Sequence, residues 1–76
     1  MLYNSQIAGQ IIGKLRTDRG LSQEALSGLA GITRTHLTMI ESGTKQANFE
    51  TIWKLALALE MKPSELVAEI EKLIEA

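Results

Sequence analysis

The spacing of apolar positions along this chain is helical throughout, and no period-2 alternation competes with it. Ile7, Ile11, Ile12 and Leu15 make one stripe and predict a first helix over about Ser5 to Asp18, with Gly20 placed to stop it. Ser22 is placed to cap a second helix, about Gln23 to Leu29, and Thr33 to cap a third, about Arg34 to Ser42, which ends at Gly43. A loop over Thr44 to Asn48 follows. Phe49, Ile52, Trp53, Leu55, Ala56 and Leu59 outline a fourth helix, with Trp53 expected in the core. Met61 and Lys62 form the next break, because Pro63 disfavours helical backbone in the residue before it. A fifth helix opens at Pro63 or Ser64, with Leu66, Val67, Ile70, Leu73 and Ile74 on one face. The expected fold is all-α, a compact five-helix orthogonal bundle forming one domain over residues 1–76.

Composition narrows the picture. Seventy-six residues bury only a modest core, and small scaffolds usually need a disulfide, a metal or a partner. There is no Cys and a single His, His36, so disulfides are excluded and no metal site or cofactor is expected. Self-association remains. The apolar stripe of the fifth helix, about 63–76, is wide for a terminal helix. Leu66, Val67, Ile70, Leu73 and Ile74 are therefore the expected dimer seam, although docking onto the first and fourth helices covers part of the same stripe. No stretch approaches the ~20 apolar residues of a membrane span, and no signal-peptide pattern opens the chain, so a cytoplasmic protein is expected. An enzyme is disfavoured, since His36 has no nucleophile or carboxylate set around it.

The window Gln23 to Ser42, QEALSGLAGITRTHLTMIES, carries the most information. Leu26, Leu29, Ile32, Leu37 and Ile40 are its apolar positions. Small residues, Ser27 and Ala30, fall where two helices would approach most closely, and Gly31 stands where a left-handed backbone is needed between them. This is the pattern of a helix-turn-helix, whose second helix can enter the DNA major groove. With Leu37 and Ile40 facing the core, Arg34, Thr35, Thr38 and Met39 turn outward. Arg34 either forks onto guanine O6 and N7 or contacts phosphate. Thr35 and Thr38 can exchange hydrogen bonds with base edges or touch a thymine methyl. Met39 offers only apolar contact, or is partly covered by the fourth helix. His36 is a candidate phosphate or groove contact, or simply a polar surface group. Ser42, Thr44 and Lys45 could hold the flanking DNA backbone.

A net charge of −1 is unusual for a nucleic-acid binder, but the charges are segregated. Residues 1–54 hold six basic against four acidic side chains, and residues 55–76 hold two against five. The acidic end is expected to face away from DNA.

From Ile11 to Leu66 the chain resembles the lambda-repressor-like helix-turn-helix family of phage repressors, Cro-like proteins and restriction–modification controller proteins. The stretches KLRTDRGLSQEALSGLAGITRTHLTMIESG and FETIWKLALAL carry the resemblance. It implies a homodimeric transcriptional regulator on an inverted-repeat operator, with double-stranded DNA as partner, acting by blocking a promoter or recruiting RNA polymerase. It also implies that Gln23 donates to phosphate and braces the first recognition residue, and that Arg16 and Glu41 form a partly buried ion pair. The chain departs from the family pattern at Ala47, often Pro; at Glu60, usually Gly; and at Met39, more often polar. The competing reading is an antitoxin-like or adaptor module whose main partner is a protein.

Overall fold

The computed structural model describes residues 2–75. Five helices follow in order: α1 (Ser5–Asp18), α2 (Gln23–Ala30), α3 (Arg34–Glu41), α4 (Phe49–Ala58) and α5 (Pro63–Glu75), with no strand among the described residues. Each start has a local cause. The side chains of Asn4, Ser22, Thr33 and Asn48 accept from backbone N–H groups in the first turns of α1, α2, α3 and α4. At α5, Pro63 occupies the first helical position, and the Glu65 carboxylate reaches back to accept from the Lys62 N–H at 2.7 Å. The ends agree with the predicted helices to within a residue: α2 runs on through Ala30, and α3 stops at Glu41 with Ser42 as its C-cap.

Ile12, Leu26, Leu37, Ile40, Leu55, Leu59 and Leu66 are the largest fully buried side chains, joined in the core by Ala8, Ala30, Ala56 and Ile70. α3 packs on α1 and α2, α4 on α2 and α5, and α5 also on α1. Arg19, at the end of α1, donates to the Leu59 carbonyl at 2.8 Å and so ties the ends of α1 and α4 together. α1 and α3 approach so closely at Gly9 that a Cβ there would collide with the carbonyl oxygens of Ile40 and Glu41. Gly13, one turn further on, lies under the Glu41 side chain.

Two expectations about burial are corrected. Leu66 and Ile70, assigned to a dimer seam, belong to this chain's own core, because α5 lies with those positions turned onto α1 and α4. Trp53, expected inside, is 49% exposed, and Phe49 is 73% exposed. Leu55, Ala56 and Leu59 instead supply the buried stripe of α4, leaving the Phe49–Trp53 stripe outside. Leu29 is also exposed, since Leu26, Ser27 and Ala30 form the inner face of α2.

Candidate nucleic-acid interface

The α2–α3 turn is closed by its own backbone. Gly31 adopts φ 72°, ψ 30°, and the Ile32 N–H reaches back to the Ser27 carbonyl at 3.0 Å. This is a left-handed helix terminus, which a residue without Cβ adopts at least cost. Ser27 and Ala30 are buried at the helix crossing, as their size suggests. Thr33 then caps α3 by accepting from the His36 N–H at 3.0 Å.

Leu37 and Ile40 fix the rotation of α3 by entering the core. Arg34, Thr35 and Thr38 are consequently exposed, while His36 and Met39 are half-buried. Beyond the helix, the Ser42 and Thr44 hydroxyls pair at 2.8 Å, and the Met39 carbonyl accepts from the Ser42 hydroxyl and from the Lys45 N–H, both at 3.1 Å. Lys45 is exposed on this flank. The residues singled out in and after the third helix thus share one end of the molecule.

Beneath this surface lies a polar chain. Arg16 donates through Nε to Glu41 Oε2 at 2.7 Å and through a second nitrogen to Glu41 Oε1 at 3.0 Å, a bidentate pair. Its third nitrogen donates to the Leu21 carbonyl at 2.8 Å. The side chains of Arg16 and Glu41 are only 16% and 10% exposed. The hydrogen bond that Arg16 donates to Glu41 raises the Arg16 pKa, and the carboxylate's charge adds to that, against a lowering by burial. A cation with a raised folded pKa stabilises fully below its ordinary value and loses that contribution only as pH climbs past the folded one. Alkaline titration of Arg16 therefore leaves the tie intact through the whole working range.

Gln23 extends the chain outward. Its Nε2 donates to Glu41 Oε1 at 3.0 Å, and its Oε1 accepts from the Thr38 hydroxyl at 2.9 Å. In this structure Gln23 braces Thr38, in the middle of α3. The residues that sequence reasoning missed are Gly9 and Gly13. Two glycines four apart inside an amphipathic helix each weaken it, and that cost was a readable signal of close helix approach.

The arrangement is that of a helix-turn-helix, and a family model described as helix-turn-helix matches residues 12–66. The chain belongs to the helix-turn-helix family of DNA-binding transcriptional regulators. It is 41% identical to the restriction-modification controller protein C.AhdI from Aeromonas hydrophila, with a TM-score of 0.77 over 80% of this chain and 92% of that one. It is 28% identical to the uncharacterised HTH-type transcriptional regulator y4dJ of Sinorhizobium fredii, over 88% of this chain and 87% of the relative. The fold also matches the controller protein C.Esp1396I, solved as a tetramer in complex with its natural 35-base-pair operator, at a TM-score of 0.88 and 20% identity over the full length of both chains.

Proposed function

We propose that the protein is a homodimer that inserts α3 into successive major grooves of an inverted-repeat operator, and regulates transcription by blocking a promoter or by recruiting RNA polymerase. The observation that carries this reading is the outer face of α3. Arg34, Thr35 and Thr38 stand exposed on a helix whose rotation is set by two buried residues and one partly buried ion pair. In this reading Arg34 specifies a guanine, Thr35 and Thr38 meet base edges, and Lys45 with Ser42 and Thr44 meets phosphate. His36 and Met39 border the groove.

The dimer is assigned to the α4–α5 face. Phe49, Trp53 and Val67 are exposed apolar side chains there, and a groove of about 500 Å³ between these helices is lined by Phe49, Ile52, Val67 and Ile74. Such a face is covered most simply by a second copy. A two-fold dimer places its recognition helices about one DNA turn apart, ~34–36 Å, and so demands an inverted repeat. Binding of the controller C.Esp1396I to its operator as a tetramer supports both self-association and a duplex partner.

Selection of duplexes from a random pool tests the reading. An inverted repeat should emerge, and affinity for it should fall steeply with salt as neutralised phosphates release counterions. Val67→Glu should leave helical content intact, yield a monomer in sedimentation, and lose operator affinity. A single unrepeated site, or a Val67→Glu protein that stays dimeric and binds normally, would contradict the proposal.

A further inference from the structure

We infer that the partly buried Arg16–Glu41 pair sets the hydrogen-bond polarity of Thr38 through Gln23, so that Thr38 reads DNA as an acceptor only. The inference deepens the proposed function and rests on α3 being the reading helix.

The argument is one of donor and acceptor inventory. A carboxylate gripped by a guanidinium can only accept. Glu41 is held by two Arg16 nitrogens at 2.7 and 3.0 Å, so the atom Gln23 turns toward Glu41 Oε1 must be its NH₂. The two ends of a glutamine amide are otherwise interchangeable in shape, and here the carboxylate removes the ambiguity. The opposite end, Gln23 Oε1, then necessarily faces Thr38, and an amide oxygen only accepts. The Thr38 hydroxyl, at 2.9 Å, must donate its one proton to it.

A threonine usually meets a base edge as donor or acceptor according to need. Thr38 has no proton left for DNA. It presents lone pairs and a methyl group outward from an exposed position on α3. In the major groove the complementary donors are the exocyclic amines, N4 of cytosine and N6 of adenine. Guanine O6 and N7 and thymine O4 are acceptors and would face those lone pairs. Gln23 is thus a positioning residue, and Glu41 determines specificity without touching DNA.

The test is selection from a random duplex pool with wild type, Thr38→Val, Gln23→Leu and Glu41→Gln, each checked by circular dichroism and urea melts. Thr38→Val keeps shape and removes the hydroxyl, so the position whose preference it erases is the one Thr38 reads. There, removing the exocyclic amine of the contacted base, with purine in place of adenine or pyrimidinone in place of cytosine, should weaken wild-type binding by about fivefold, the scale of one net hydrogen bond, and should leave Thr38→Val unaffected. Glu41→Gln lets residue 41 donate to Gln23. The Gln23 amide then flips, Thr38 regains its proton, and the dependence on that amine should disappear. Gln23→Leu, at a half-exposed position, should level that dependence even if Glu41→Gln folds poorly. Wild-type binding unchanged when the amine is removed on either strand, no position sensitive to Thr38→Val, or an amine dependence unchanged in both network variants would overturn the inference while leaving DNA reading in place. A wild-type pool with no enriched sequence would sink DNA reading itself, and this inference with it.

Discussion

The two faces of this molecule are held by different physics. On the α3 side, burial of Leu37 and Ile40 is supplemented by directional bonds: a bidentate ion pair, an amide that spans two partners, and a glycine turn. On the α4–α5 side, position is set by burial of Leu55, Leu59, Leu66 and Ile70, and the surface outside that core remains apolar. Hydrophobic contact is non-directional and tolerates sliding, whereas hydrogen bonds fix which atom points where. The first face is suited to presenting chemistry in one fixed orientation. The second is suited to accepting another surface. Their difference separates what the chain finishes by itself from what it leaves to a partner.

The comparison is most directly broken at Glu41. Glu41→Ala strands the Arg16 guanidinium in a largely buried place and should cost up to about 3–5 kcal/mol in urea or thermal melts. Unchanged midpoints would mean that this face, like the other, is held mainly by burial. Gly9→Ala comes next. A methyl pressed against the Ile40 and Glu41 carbonyls forces α1 away from α3, for about 1–3 kcal/mol or more. Because the obstacle is backbone, no rotamer change relieves it, and the loss should appear in stability before it appears in any binding measurement. Arg34→Ala should leave melts unchanged and cost about 1–3 kcal/mol of operator affinity, concentrated at one base pair per half-site. Uniform loss across all sequences would make Arg34 a phosphate contact. The smallest effect belongs to the apolar side. Glu60 adopts φ 60°, a left-handed backbone that costs a residue with a Cβ about 1–2 kcal/mol. Glu60→Gly should raise the melting midpoint, with a stabilisation smaller than that, since glycine also loosens the unfolded chain.

How much of this was legible in the sequence follows from the same division. The helices were legible because caps and turn residues act on their immediate neighbours: Ser22, Thr33 and Gly31 announce themselves within three positions of where they act. Glu60 was legible as a departure from a usual glycine, and its positive φ explains why glycine suits that place. Burial was less legible on α4. Phe49, Trp53 and Ala56 share helical spacing, but so do Leu55 and Leu59, and only tertiary packing selects between overlapping apolar stripes. The same ambiguity hid the split of α5 into buried Leu66 and Ile70 and exposed Val67 and Leu73. That Gln23 braces a recognition residue was implied by the resemblance, but that the residue is Thr38, not the first one of α3, was not legible. The link joins residues 15 positions apart through side-chain orientation, which no periodicity encodes.

The place of α5 in the bundle resolves the mismatch between a net charge of −1 and a nucleic-acid partner. Its carboxylates Glu65, Glu69, Glu71 and Glu75 ride on a helix that packs against α1 and α4, away from the outer face of α3. The molecule measures 32 × 24 × 21 Å. At physiological salt an exposed charge is felt over only ~8 Å. Even the shortest dimension exceeds twice that distance, so an approaching polyanion does not meet the sum of the charges. It meets whichever end is turned toward it, and encounters that lead with α3 are attractive where encounters that lead with α5 are not. Orientation is thus sorted during the approach itself, before any base is touched.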